Sequence, residues 1–415
     1  MSLSDTKNNL EQLKARGFFK NTTNEENLVK LLNSDKITFY TGYDPTNFSF
    51  HIGHMVPMLA MHHLQEMGHR ALVLIGGGTA MIGDPTGRTE ARPIMTKEKI
   101  DDNVAKLKVQ FERFIALDNP DKGLIVNNAD WLRNVNYLDF LRDIGSNFSV
   151  NRMLTFETYK EKLKVGLSFL EFNYNLLQAY DFLYLFRHYG CVLQAGGDDQ
   201  WANMVSGVEL IRRMERSTDV ECLTYPLIMT SEGKKMGKSQ KGAVFLSEEL
   251  TPVYDFYQYW INTTDADVIR FMKLYTFLPL EEIARYEALQ GEELREAKKV
   301  LAYEVTKIVH GKDKADAAKS GAEAAFGGGD NVDCMPTFEI AADRLGSGLG
   351  ILDLYAECGL CSSKGEARRL IQGNGAVING EKITDPQMTV TNANITADGI
   401  ILRSGKKKVM RIIVK

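Results

Sequence analysis

Five short apolar runs recur through the first part of the chain, each closing on glycine or polar residues and each followed by a helical stretch. They are Ile37–Thr41, Ala71–Ile75, Leu124–Val126, Cys191–Gln194 and a fifth near Cys222–Met229. Continuous apolar runs bounded by glycine suit strands buried on both faces, and strands alternating with helices build a doubly wound parallel sheet of the α/β class. Such sheets hold ligands at the carboxyl ends of their strands. The polar residues expected there are Tyr40, Asp44, Asp84, Gln194, Asp199 and Gln200.

One turn in this frame carries chemistry. His51-Ile52-Gly53-His54 follows the first strand and opens a helix through Met55–Met61. A strand running into a helix through small residues presents backbone N–H groups to a phosphate. The two imidazoles, at i and i+3, face one side of the helix start, and Gly53 leaves backbone over which a flat ring fits. Read alone, the pair is a phosphate site, two helix-start imidazoles, or half of a metal site. His62 and His63 lie two turns on and no carboxylate sits at ligand spacing, so no protein-bound metal is expected. The loop Gly76–Arg88 is glycine-rich but is neither a Walker loop nor G-x-G-x-x-G. Ser231–Ser239 holds three lysines and two glycines, a basic flexible loop that read alone is a solvated turn.

The rest of the chain sets bounds. At 415 residues it has room for two or three domains. A net charge of −4 excludes a protein whose whole surface binds nucleic acid, but it hides an asymmetry. Residues 351–415 carry ten Lys/Arg against six Asp/Glu, a net of +4, which leaves −8 for the remainder. A basic module on an acidic body predicts local contact with a polyanion; a solvated basic tail is the alternative. The five cysteines are scattered and fit a reducing compartment; Cys358 and Cys361 read as helix-packing thiols rather than a zinc or redox pair. No apolar run is long enough to span a membrane, and the N-terminus lacks a signal-peptide pattern, so the chain is expected in the cytoplasm. Residues 1–34 read as amphipathic helix, with Thr23-Asn24-Glu25-Glu26 as a capping box before Leu28, Leu31 and Leu32.

The histidine turn and the lysine loop together resemble the HIGH and KMSKS motifs of class I aminoacyl-tRNA synthetases, here His51–His54 and Lys235-Met236-Gly237-Lys238-Ser239. Gly237 stands where the motif usually has serine. The resemblance narrows to the tyrosyl-tRNA synthetases of bacterial type and covers nearly the whole chain. The stretches that carry it are Tyr40–Thr46, Gly83–Gly87, Tyr174–Asp181 and Gln194–Trp201. It implies a homodimeric ligase in which L-tyrosine attacks the α-phosphate of ATP, accompanied by Mg2+, giving tyrosyl-adenylate and pyrophosphate. The 3′ end of tRNA(Tyr) then takes the tyrosyl group.

By the same resemblance Tyr40 and Asp181 hydrogen-bond the substrate phenol, Asp84, Tyr174 and Gln178 hold its ammonium group, and Gln194 and Gln200 complete the tyrosine site. The ATP site would comprise Gly42, Asp44, Thr46, His51, Gly53, His54, Gly197, Asp199, Lys235 and Lys238. The catalytic set would be His51, His54, Lys235, Lys238 and Ser239, the lysines neutralising pyrophosphate, with Arg88 and Arg92 near the phosphates or the tRNA end. The spacing agrees: Tyr174, Gln178 and Asp181 fall at i, i+4 and i+7, a polar line on one helix face. A buried polar network in the core would produce the same pattern. Catalysis of this kind is positioning and charge stabilisation.

The domain plan that follows has a Rossmann-like catalytic domain over 1–230 with a helical insertion at about 131–189, and a KMSKS-type loop at 231–247. An α-helical anticodon-side domain covers 248–318, a linker 319–345, and a small α+β RNA-binding domain 346–415. The last resembles the alpha-L fold, with Lys364, Arg368 and Arg369 as its phosphate-gripping residues. Phe169 falls in a segment that resembles the family's dimer interface, with a core position as the alternative. Two other functions are open: a tryptophanyl enzyme, against which Tyr40, Asp181 and the C-terminal module argue, and a non-catalytic RNA-binding paralogue, which should have lost His51, His54 or the lysines.

Overall fold

The computed structural model describes residues 8–86, 95–233, 236, 238–239, 242–327, 335–346, 348–405 and 408–415, with the backbone alone at 238–239, 324–327 and 408. Lys235, Arg88 and Arg92 lie outside the described residues. The chain divides into two compact units, one of Met1–Thr251 with Thr263–Leu301 and the other of Pro252–Asn262 with Ala302–Lys415.

The first unit is built on a six-stranded sheet of β1 (Asn21–Thr22), β2 (Thr38–Tyr43), β3 (Arg70–Ile75), β4 (Gly123–Asn127), β5 (Cys191–Gly197) and β6 (Glu221–Tyr225), in the order β1-β6-β5-β2-β3-β4. The five apolar runs form its parallel part. From β2 the chain steps outward to β3 and β4, then returns to lay β5 on the other side of β2. The boundary between β2 and β5 is therefore the switch point, where crossovers diverge and leave a crevice. Tyr40 and Gln194 are paired in register across it.

Within residues 8–34 the structure departs from the uniformly helical reading. Two helices, Asn9–Arg16 and Glu25–Leu32, flank β1, which pairs antiparallel with β6. Asn24, not Thr23, caps the second helix, accepting from the Asn27 N–H at 3.0 Å, because the Thr23 hydroxyl is drawn off to Glu221.

Three helices frame the crevice: α1 (Met55–Glu66), α2 (Phe169–Tyr189) and α3 (Trp201–Met214). Local chemistry fixes both ends of α2. Ser168 and Glu171 form a reciprocal capping box, and Gly190 closes the helix at φ +62°, a left-handed position that costs glycine little. Glu171 also takes the Lys162 ammonium at 2.7 Å in a buried pair. Between the sheet and α2 and α3 lies a core that includes Leu72, Leu74, Phe182, Leu183, Met204 and Val208.

In the second unit the helix Val253–Ile261 packs against Lys312–Gly327. This helix continues through the stretch expected to begin a linker, because its alanines favour helix up to the glycine run. Strand Thr337–Ile340 and helix Ala342–Gly346 occupy more of that stretch. The 248–318 region is thus divided between the two units rather than forming one of its own. A five-stranded sheet follows, in the order Glu381–Lys382, Ala376–Ile378, Ile400–Ser404, Lys408–Val414 and Thr337–Ile340. Its core includes the buried thiols of Cys358 and Cys361.

Candidate active site

The histidine turn is a single turn of 3-10 helix, Ile52–His54, leading into α1. His51 Nδ1 accepts from the Gly53 N–H at 3.1 Å, and His54 Nδ1 accepts from the His51 N–H at 3.2 Å. The two rings lie 3.8 Å apart between centroids. These bonds assign the tautomer: a neutral imidazole that accepts at Nδ1 carries its proton on Nε2. Each histidine therefore carries its N–H donor at Nε2. The ring over Gly53 is that of His51 itself, since a Cβ at position 53 would lie 2.8 Å from His51 Cε1.

The lysine loop comes back to this turn through the backbone. Ile52 N–H donates to the Val244 carbonyl at 3.0 Å, and Leu246 N–H donates to the Phe50 carbonyl at 2.8 Å. Met236 is buried, with its carbonyl oxygen 3.6 Å from where a Gly53 Cβ would be. Lys238–Ser239 forms a two-residue ladder with Gly242–Ala243. Two motifs far apart in sequence are thus held side by side.

At the switch point the sheet and α2 bring Tyr40, Gln194 and Asp181 together. Tyr40 packs on Phe182, with ring centroids 5.4 Å apart. Its hydroxyl is buried and has no hydrogen-bond partner among the described residues, as has the side-chain oxygen of Gln194. Burial holds the Tyr40 phenol well above its usual range, and the nearby Asp181 carboxylate adds to this. Asp181 is itself 1 % exposed. Trp131 Nε1 donates to its Oδ1 at 2.8 Å and Asn128 Nδ2 to its Oδ2 at 2.9 Å. Burial pushes its carboxyl up to about 7, against the lowering effect of those two donors. A buried carboxylate beside a partnerless phenol hydroxyl matches a ligand hydroxyl that donates to one and accepts from the other.

The polar line on α2 is present, with Tyr174 and Asp181 buried and Gln178 half-buried. The Tyr174 hydroxyl gives its proton to Asp44 Oδ2 at 2.9 Å, so toward any cation it acts only as an acceptor. Asp84 is 6 % exposed and accepts from Thr86 N–H at 2.9 Å and from Gln200 Nε2 at 2.7 Å. Gln200 accepts in turn from Asn203 at 3.1 Å, which makes it a support for Asp84. Asp199, on the 3-10 turn that leads into α3, lies over Gly197, where a Cβ would meet its Oδ1 at 2.5 Å. Gly42 and Thr46 are exposed at the end of β2 beside half-buried Asp44.

Asn128 and Trp131 did not stand out in the sequence, although both follow directly on β4, at the end of a strand where ligands bind. In the second unit Lys364, Arg368 and Arg369 are exposed on helix Lys364–Gln372, and Lys364 is paired with Asp353. Phe169 is 70 % exposed, which removes the core reading, and Leu163, Val165 and Leu170, close by in sequence, are exposed as well.

The family model for class I tRNA synthetases (W and Y) matches residues 32–327, and that for the tyrosine–tRNA ligase SYY-like C-terminal domain matches residues 330–412. The tyrosine–tRNA ligase of Clostridium tetani is 53 % identical over 408 residues, covering 98 % of this chain and 99 % of that protein. That of Clostridium botulinum (strain Loch Maree) is 52 % identical over 404 residues, covering 97 % and 98 %. Among solved structures, a C-terminally truncated mitochondrial tyrosyl-tRNA synthetase from Aspergillus nidulans superposes with a TM-score of 0.70 at 30 % identity, over 78 % of this chain and 95 % of that one.

Proposed function

The chain belongs to the tyrosine–tRNA ligases of the class I tRNA synthetases, and from that premise we propose how its residues share the work. The reaction has two steps. Tyrosine attacks the α-phosphate of ATP and releases pyrophosphate; the 3′ end of tRNA(Tyr) then accepts the tyrosyl group. No covalent enzyme intermediate is needed, so the protein contributes position and charge.

Asp181 and Tyr40 read the substrate phenol. The observation that carries this is a buried carboxylate near a buried hydroxyl that has no hydrogen-bond partner among the described residues, both at the switch point. Asp84, Tyr174 and Gln178 receive the ammonium group, and Gln200 acts through Asp84. Asp44, Thr46, Gly42, Gly197 and Asp199 line the nucleotide. The Nε2–H groups of His51 and His54 meet the phosphates, while Lys235 and Lys238 neutralise the leaving pyrophosphate and the Ser239 hydroxyl donates to it; Mg2+ accompanying ATP would add positive charge at the phosphates. Arg368 and Arg369, with Lys364, grip tRNA phosphates. A second copy of this chain covers the apolar face around Phe169. The protein works in the cytoplasm; among the described residues no helix is long and apolar enough to cross a membrane.

ATP–pyrophosphate exchange with each amino acid in turn tests the reading. Exchange with tyrosine is expected. Exchange with tryptophan alone, or with none, refutes it.

A further inference from the structure

The buried polar groups behind the crevice form one continuous chain. Asn128 Nδ2, which donates to Asp181, also donates to Thr79 Oγ1 at 3.1 Å, and the Thr79 hydroxyl donates to Asp44 Oδ1 at 2.8 Å. Thr79 is 2 % exposed and Asn128 is fully buried. A hydroxyl has one proton. Having given it to Asp44, Thr79 can only accept from Asn128, so the direction of every bond in the chain is set.

The backbone is built around these contacts. A Cβ on Gly76 would lie 2.1 Å from Asp44 Oδ1 and 2.4 Å from Thr79 Oγ1, so glycine leaves the space in which that bond forms. Asn128 is fixed from its other end: its Oδ1 accepts from the Gly78 N–H at 2.7 Å, and its own N–H donates to the Ile75 carbonyl at 3.1 Å.

We propose that Thr79 and Asn128 are positioning residues, a relay that holds Asp181 and Asp44 as one unit, so that the carboxylate facing the phenol and the carboxylate facing the nucleotide are set together. The proposal rests on the roles given to Asp181 and Asp44 above. Both relay residues act through the carboxylates they bond, Thr79 through Asp44 and Asn128 through Asp181.

Thr79→Val keeps the shape of the side chain and cuts the link. From the usual worth of a hydrogen bond to a charged group, kcat/KM in pyrophosphate exchange should fall roughly ten- to a hundredfold for tyrosine and for ATP alike. Thr79→Ser, which keeps the hydroxyl, should restore both. Thr79→Val combined with Asn128→Ala should lose less than the product of the separate losses, since both cut one link. Gly76→Ala provides an independent cut, driving a methyl into the Asp44–Thr79 contact, and should give the same joint loss. A loss confined to one substrate, losses that multiply, a serine variant as poor as the valine one, or a Gly76→Ala protein with both kcat/KM values unaltered overturns the relay. An unmutated protein that fails to exchange with tyrosine overturns the reading of the site instead.

Discussion

Tyr40→Phe separates what the site costs the free protein from what it contributes to recognition. The Tyr40 hydroxyl is buried with no partner among the described residues. A buried polar group in that state is unfavourable by about 1–3 kcal/mol. Removing one oxygen opens little space, so the free variant should be more stable by about 1 kcal/mol. With tyrosine bound, the hydroxyl gains a partner, and the variant forgoes one neutral hydrogen bond of about 0.5–1.5 kcal/mol, or roughly two- to tenfold in kcat/KM. Phenylalanine offers no hydroxyl, and Tyr40 has no partner among the described residues before it binds, so its kcat/KM should be unchanged. Discrimination should therefore fall by the same two- to tenfold, entirely through tyrosine. Thermal unfolding without ligands, with pyrophosphate exchange on both amino acids, measures each part. A less stable variant, or equal losses with both amino acids, refutes the reasoning.

The Asp181 carboxyl is held up to about 7 by burial, while the groups that face it, Asn128 Nδ2–H and Trp131 Nε1–H, can only donate. An acid raised in this way is protonated below that pH, and the protonated form is the poorer acceptor for a phenol. Accordingly kcat/KM for tyrosine should fall as pH drops below about 7, and Asp181→Asn should lose that dependence together with most tyrosine activation. If the variant keeps the wild-type profile, Asp181 is not the titrating group. Gly53→Ala places a Cβ 2.8 Å from the His51 ring, which must move off the Gly53 N–H. Its adenylation rate in single turnovers should drop while tyrosine affinity stays level; a change in tyrosine affinity with an unaltered rate would contradict that role. Removing the residues after about 345 should spare pyrophosphate exchange and abolish charging of tRNA, as read by acid-stable aminoacylation. Charging that survives would give the module another task.

The parallel sheet was legible because its strands are buried on both faces, and burial on both faces leaves apolar runs that need no partner to be recognised. The two-residue strand β1 was not, because it exists only through its pairing with Leu223 and Thr224. The helix cap at Asn24 was missed by one residue for a similar reason: Thr23 has a better acceptor in Glu221, distant in sequence. The residues proposed to meet ligand could be nominated from motifs, since the chemistry asked of each limits the residue types allowed. The groups that hold them could not. An asparagine and a tryptophan after β4 look like any loop until folding brings them to Asp181.

That difference bears on where specificity resides. Asp84 accepts from Gln200 and Thr86, Asp44 from Tyr174 and Thr79, and Asp181 from Asn128 and Trp131. Each of these three carboxylates, proposed above to meet substrate, is already held by at least two donors, so little side-chain ordering is left for the substrate to impose. Carboxylate oxygens accept more than one bond, and these donors occupy only part of that capacity. Tyr40 and the Gln194 oxygen are the exceptions, buried groups unmatched among the described residues in the free protein. Preorganised acceptors fix where a tyrosine lies; the unmatched groups supply free energy released only when a ligand with the right hydroxyl arrives. A ligand lacking it gains the first and forgoes the second, so discrimination at this site follows from what the free protein leaves unsatisfied.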